Sequence, residues 1–284
     1  MRPILFSIGT MHFHSYTAMF ALAFLAGTIL AVRANQKLEN PFPVTTLGGI
    51  WAFFGGLIGA KVYWWFQYGE WEDLKWGQFL LTGGLVFYGG LIGGVLGCWL
   101  YLRRVRAPFV PVADLAIPFL ALAHAIARVG CFLNGCCWGA VTGLPWGVTY
   151  PKTSWGAYAQ QIRDGLLQGG GTHALPVHPT QMYESIGLVG IFFLLRWCYR
   201  RRTRHGTVML LYPLCYGLLR FGVEFFRGDS AHPMAGLTGS QFFSLAMVSF
   251  SVAGLLLWKR PPLGDGMPAT APETMESPEN EGSG

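Results

Sequence analysis

Charge is what this chain has least of. Only 12% of its 284 residues are Asp, Glu, Lys or Arg, against about 25% in a soluble domain, while 52% are hydrophobic. A soluble globule of this composition would expose more apolar surface than its polar residues could interrupt. The soluble classes are therefore excluded, and a membrane protein is expected. Cysteine is also scarce. The six present are too few and too scattered for a disulfide framework. Cys98, Cys198 and Cys215 fall inside apolar runs and read as small core residues. Cys131, Cys136 and Cys137 lie close together, but CxxxxCC matches no strong zinc pattern. Structural, redox-active and disulfide-bonded readings of these three stay open, and no metal or cofactor is expected. The first apolar run ends at Arg33 without an A-x-A site, so it reads as a span and not as a cleavable signal. A net charge of +6 invites a nucleic-acid partner. The basic residues, however, cluster in short loops between apolar runs, which is a topogenic pattern and not a groove-lining one, so no nucleic acid is expected.

What the chain has in quantity is glycine (39), phenylalanine (21) and tryptophan (11), the residues of closely packed membrane helices and of interfacial belts. Seven apolar runs are near the ~20 residues a bilayer requires: about 16–32, 46–66, 83–102, 110–128, 180–199, 207–226 and 241–258. Residues 1–15 read as an interfacial lead-in, and 67–78 as an acidic, aromatic interfacial loop. The second run carries Gly48, Gly49, Gly55, Gly56 and Gly59, whose spacing lets a neighbouring helix approach closely. Residues 134–177 are polar and rich in Gly and Pro, a small head region outside the bilayer. From Pro261 the chain is rich in Pro, Glu, Gly and Ser and is expected to be disordered.

The expected architecture is an all-α polytopic membrane protein with about seven transmembrane helices and a small periplasmic head segment between spans four and five. Residues 1–258 form the transmembrane catalytic domain and 259–284 a disordered cytoplasmic tail. Twelve of the twenty Lys and Arg residues follow spans one, three, five and seven. The positive-inside rule then sets the C-terminus in the cytoplasm and the N-terminus on the periplasmic side.

The chemistry concentrates at 127–139, Ala-Arg-Val-Gly-Cys-Phe-Leu-Asn-Gly-Cys-Cys-Trp-Gly. An arginine at the centre of a spanning helix costs roughly 2.5–3.5 kcal/mol on insertion scales, so Arg128 is expected to face a polar interior. Tyr216, Arg220, Glu224 and Arg227 are spaced four, four and three, an arc of roughly 80° on one helix face. Glu224 is positioned to pair with both Arg220 and Arg227, and Arg227, near the helix end, is open to snorkelling. Arg128 and Arg220, from different helices and without a matching pair of free carboxylates, suit a lipid phosphate. The alternative is that Arg128 pairs with Asp114 or Glu184 inside the bundle. His178-Pro179-Thr180-Gln181-Met182-Tyr183-Glu184 opens the fifth span, with Pro179 in its first turn and Thr180 as its cap.

Taken together, these motifs resemble the prolipoprotein diacylglyceryl transferase family. The likeness covers roughly residues 10–258 and rests on the 127–139 stretch, Pro145-Trp146-Gly147, the 178–184 stretch, Gly-Gly-Leu-x-Phe-x-Gly-Gly-Leu-Ile-Gly at 83–93 and Tyr216-Gly217-x-x-Arg220-x-x-x-Glu224-Phe-x-Arg227. The resemblance implies a seven-span enzyme of the bacterial inner membrane. Such an enzyme moves the diacylglyceryl group of phosphatidylglycerol onto the lipobox cysteine of a prolipoprotein, forming a thioether and releasing glycerol 1-phosphate. It implies that Arg128 and Arg220 hold the phosphate, and that Tyr16, Asn134, Gly139, Tyr216 and Glu224 stand at functional positions. His178, Gln181, Tyr183, Glu184 and Arg227 belong to the same motifs and are expected in the substrate site. The partners implied are phosphatidylglycerol, signal peptides carrying a lipobox cysteine, and the bilayer itself. Three positions depart from the family pattern. Tyr88 stands where a histidine, the usual candidate base, is expected, Cys131 where Asn is usual, and Cys136 where Glu or a similar residue is usual. Tyr88, or His124 one turn before Arg128, or His178, is left as the base. Two further readings stay open: a lipid- or lipoprotein-binding relative without catalysis, and a membrane thiol oxidoreductase.

Overall fold

The computed structural model describes residues 4–8, 11–68, 86–152, 156–168, 171–228 and 236–259. Its N-terminal residues, read above as a lead-in, form an antiparallel hairpin of β1 (Ile4–Ile8) and β2 (Met11–His14). Everything else regular is helical among the described residues: α1 (Ser15–Gln36), α2 (Leu47–Tyr68), α3 (Phe87–Arg104), α4 (Phe109–Asn134), α5 (Ala157–Arg163), α6 (Thr180–Arg201), α7 (Thr207–Glu224) and α8 (Gly239–Leu257). Seven of these have 18 to 26 residues, and each overlays one of the seven apolar runs. By length and composition α1, α4 and α8 are apolar enough to cross a membrane. The acidic loop, the start of the third run and the Pro-rich tail fall outside the described residues, apart from the edges of the first and last.

The helices make two packing groups, which meet where Phe24 and Thr28 of α1 lie against α2 and where Tyr101 and Leu102 of α3 pack with Val112 of α4. In one, α2 lies along α3. The glycine spacing has the expected effect here: a Cβ on Gly55 or Gly59 would run into the Gly93 and Gly89 carbonyls, and one on Gly93 into that of Gly55. The two backbones touch, which only glycine permits. In the other group α4 is central, packed by α1, α6 and α7, with α8 against α7. Ala121, Ala125, Leu188, Ile191, Leu195 and Val208 form its core.

Helix α4 runs six residues past Arg128, so the first half of the glycine-containing motif is helical and not a turn. Gly130 continues the helix and lies against Met19 and the Tyr16 carbonyl of α1. The break comes at Gly135, at φ 78°, whose N–H reaches the Cys131 and Phe132 carbonyls. That left-handed stop is where glycine is favoured. Asp114 is also settled. Fully buried, its carboxylate accepts from the N–H groups of Gly206 (2.7 Å) and Met209 (2.8 Å), with Arg202 at 3.6 Å. It satisfies the N-terminus of α7 and is not the partner of Arg128.

The described residues between α4 and α6 are tied to one another and to the end of α7. Short antiparallel bridges pair Gly139 with Arg227, Val141 and Val148 with Val177, and Pro151 with His173. Under them Tyr150, Ala157, Tyr158, Ala174 and Val177 make a small separate core.

Candidate functional site

The polar centre among the described residues is an alternating run of five charged side chains, the arginine ring, from α4, α6, α7 and the turn after α7. Glu184, 1% exposed, is its hub. Its Oε1 lies 2.9 Å from Arg128 Nη2 and accepts a 2.9 Å hydrogen bond from the Tyr216 hydroxyl, and its Oε2 is 3.6 Å from Arg220 Nη1. Arg220 Nη2 contacts Glu224 Oε2 at 2.8 Å and donates to Ser240 Oγ at 3.1 Å. Arg227, three residues beyond the last turn of α7, reaches Glu224 at 3.7 Å, and the Thr238 hydroxyl donates to Glu224 Oε1 at 2.8 Å. The shared face read from the four-four-three spacing is thus present, and Glu224 pairs with both arginines. The expectation of two arginines without carboxylate partners is corrected: Glu184 serves both. Of the two alternative partners given for Arg128, Glu184 is the one present, and its reach to Arg220 as well follows only from α6 packing against both α4 and α7.

Counting Arg128, Arg220 and Arg227 against Glu184 and Glu224 leaves the ring with one net positive charge. Two of its buried donors, Arg128 Nε and Arg220 Nη1, have no hydrogen-bond partner among the described residues. A buried guanidinium N–H without an acceptor is costly, and an anion at this position would satisfy one from each helix. His124 stands beside the ring. Its Nε2 is 4.0 Å from Glu184 Oε1, its Nδ1 3.1 Å from the Tyr212 hydroxyl, and its ring 4.9 Å from that of Tyr216. Tyr212 was missed in the sequence, although it precedes Tyr216 by one turn and stacks on it. Thr238 and Ser240 were missed too. The signal was Thr238-x-x-Gln241, a capping box formed at the start of α8.

The remaining predicted residues form a second group beneath the head segment. Gln181 Nε2 donates to the Cys136 carbonyl (2.6 Å) and to the Tyr150 hydroxyl (3.0 Å), and burial pushes the Tyr150 phenol up to about 12. Thr180 does not cap α6. Its hydroxyl donates to the Cys137 carbonyl at 2.8 Å, and Pro179 is the cap residue. The Tyr183 hydroxyl accepts from Trp146 Nε1 (2.8 Å) and lies 3.2 Å from His178 Nδ1, which ties the Pro-Trp-Gly motif to the start of α6. Gly139 is clamped by backbone. Its N–H donates to the His178 carbonyl, and a Cβ there would sit 2.6 Å from the Phe226 oxygen. Asn134 is the last residue of α4, and Tyr16 lies on α1 where Gly130 packs. Tyr88 is in the first turn of α3, and its side chain lies outside the described set.

The three thiols converge despite their unfamiliar spacing. The Sγ atoms of Cys131, Cys136 and Cys137 lie within 4.8 Å of one another, and none is in a disulfide. Cys137 is left-handed, at φ 62°, which costs a non-glycine residue ~1–2 kcal/mol. The carbonyl bonds from Thr180 and Gln181 hold it there.

Comparison with known proteins agrees with this geometry. The family profile described as Prolipoprotein diacylglyceryl transferase matches residues 3–258. The phosphatidylglycerol–prolipoprotein diacylglyceryl transferase of Clostridium tetani is 32% identical over 261 residues, covering 89% of this chain and 96% of the relative. The enzymes of the same name from Legionella pneumophila (strain Lens) and Coxiella burnetii (strain Dugway 5J108-111) are 31% and 29% identical, covering 91% and 90% of this chain and 96% and 94% of their own lengths. A match across nearly the whole length makes this chain a member of the prolipoprotein diacylglyceryl transferase family.

Proposed function

We propose that the Arg128–Glu184–Arg220 ring binds the phosphate of phosphatidylglycerol and that the diacylglyceryl group is passed there to the lipobox cysteine of a prolipoprotein. As a member of its family the chain is a transferase of bacterial lipoprotein biosynthesis, and its substrates are phosphatidylglycerol and prolipoproteins. The observation that carries the site is the pair of unsatisfied buried donors, Arg128 Nε and Arg220 Nη1, in a ring with one net positive charge. A phosphodiester carries one negative charge, so it neutralises the ring and supplies acceptors to both guanidinium groups.

In the reaction the lipobox thiol gives up its proton and its sulfur attacks the glycerol carbon bonded to the phosphate. A C–S bond forms, the C–O bond breaks, and its electron pair goes to the phosphate oxygen, which departs as glycerol 1-phosphate. Charge grows on that oxygen, and the guanidinium groups are preorganised against it. A free thiol has a pKa of about 8.5, so a base aids it at neutral pH. His124, 4.0 Å from Glu184 and bonded to Tyr212, is the base we favour. Tyr216, bonded to both Glu184 and Arg128, orients the ring. Tyr16, Asn134 and Gly139 bound the approach from α1 and the end of α4, and His178, Gln181 and Tyr183 brace the head segment above it.

We read the seven long helices as seven spans of the bacterial inner membrane, with residues 134–177 a periplasmic head. The basic ends of α1, α3 and α6 support a periplasmic N-terminus and a cytoplasmic C-terminus. The test is direct. Purified protein is incubated with phosphatidylglycerol and a lipobox peptide, and the peptide mass is followed. A diacylglyceryl adduct that disappears with Cys→Ser in the peptide and with Arg128→Gln in the protein is expected. An adduct formed undiminished by Arg128→Gln and Arg220→Gln refutes the ring as the phosphate site.

A further inference from the structure

We propose that Cys131, Cys136 and Cys137 form a binding site for a soft, thiophilic d10 metal ion, Zn(II) or Cu(I), separate from the arginine ring. Three sulfurs from two local segments, the last turn of α4 and the loop after Gly135, point to one place with all Sγ atoms within 4.8 Å. Bonds of about 2.3 Å to a tetrahedral Zn(II) set sulfurs ~3.8 Å apart, so closing around an ion asks for a movement of an ångström or less. Thiolate sulfur selects Cu(I) and Zn(II) over the hard cations.

The surroundings support the same reading. Cys131 is buried, while Cys136 and Cys137 are half-buried, so an ion enters from the loop side and a water completes a tetrahedral Zn(II), whereas Cu(I) is held by the three sulfurs alone. Cys137 has a positive φ, and from α6 the Thr180 and Gln181 side chains hold the carbonyls of Cys137 and Cys136. Each thiol that binds releases its proton to solvent, and no redox change is involved. The ion would tie the end of α4 to the loop that seats α6.

The experiment uses full-length protein in detergent, reduced and freed of reductant without oxygen, then loaded with Zn(II) or with Cu(I) and desalted. Bound metal per chain and cysteine labelling before and after loading are measured. One retained equivalent is expected, with three of the six thiols protected, a sulfur-to-metal charge-transfer band with Co(II) as a probe, and a raised Tm. Cys131→Ser, Cys136→Ser and Cys137→Ser should each weaken retention at least tenfold, while Cys98→Ser leaves it unchanged. Zn(II) retention with a tetrahedral Co(II) spectrum assigns the four-coordinate site, and retention of Cu(I) alone the trigonal one. The inference is overturned if neither ion is retained, if fewer than three thiols are protected, or if the triple serine variant keeps the metal. Labelling of the wild-type chain requires no variant, so a serine variant that fails to fold does not rescue the idea.

Discussion

Replacing Glu184 by Gln tests the ring most sharply, because one side chain there compensates two guanidinium groups. The substitution keeps the shape and a hydrogen-bonding oxygen but raises the net charge of the ring from one positive to two. Removing one partner of a buried ion pair costs about 3–5 kcal/mol. At the roughly 2–4 °C per kcal/mol of a chain this large, Tm falls by about 10 °C. Arg128→Gln alone brings the count to zero, and the double variant Glu184→Gln/Arg128→Gln returns it to one positive, with Arg220 still paired to Glu224 at 2.8 Å. The two residues touch, so their effects are not additive, and a coupling of about 1–3 kcal/mol is expected. The double variant should be measurably more stable than the sum of the singles predicts. Its transferase activity should nonetheless stay at the level of Arg128→Gln, because the phosphate donor is still missing. Thermal unfolding of the four proteins and the peptide mass assay read the two halves separately. Additive stabilities, or activity that recovers with the double variant, would refute the charge-compensation argument.

Arg128→Lys keeps the charge but offers one nitrogen where Glu184, Tyr216 and the phosphate are all to be served. Loss of one hydrogen bond to a charged group, ~1.5–3 kcal/mol, predicts a fall in kcat/KM of roughly 10- to 150-fold with little change in Tm. Gly139→Ala should move the segment bridged to Arg227 and lower Tm by the cost of overpacking, ~1–3 kcal/mol, since the new methyl meets the His178 and Phe226 backbone. Limited proteolysis of the head segment gives an independent readout. Gly93→Leu should force α2 from α3, visible as a lower Tm, whereas Gly190→Leu, with open space around it, should not. Trp146→Phe removes the donor to the Tyr183 hydroxyl, and a loss of about 0.5–1.5 kcal/mol in stability is expected from thermal unfolding.

The helices were legible because a membrane span is a composition as much as a pattern, and all seven apolar runs overlay a helix. Their ends were not. The 127–139 motif holds Gly130, Gly135 and Gly139, and nothing local says which of them stops α4. Contact with Met19 keeps Gly130 helical, the left-handed cap stops the chain at Gly135, and Gly139 is needed for close backbone approach. The face of α7 was readable from period alone, and so was the Glu224 pairing, because both lie within one helix. Glu184 was named as one of two alternative partners for Arg128, but its bridging of Arg128 to Arg220 was not, since that depends on three helices meeting. The convergence of the three thiols escaped for a related reason: Cys137 has a positive φ, and the carbonyls of Cys136 and Cys137 are held by Gln181 and Thr180, more than forty residues away.

The arrangement of charge also explains why the proposed lipid-phosphate site carries carboxylates. Two guanidinium groups about 5 Å apart repel by ~3 kcal/mol at an effective dielectric near 20, and three in a buried ring would splay apart or fail to insert. Glu184 and Glu224 sit between successive arginines in the order Arg128, Glu184, Arg220, Glu224, Arg227, so each positive charge has a negative neighbour before any substrate arrives. Alternation leaves the ring short of neutrality by one charge, the charge of a phosphodiester. It also leaves Arg128 Nε without a hydrogen-bond partner among the described residues and Arg220 Nη1 no closer than 3.6 Å to Glu184. The protein thus holds the groups in place without a ligand while the attraction for an anion survives. A third carboxylate would abolish that attraction, and one fewer would leave the guanidinium groups without a frame.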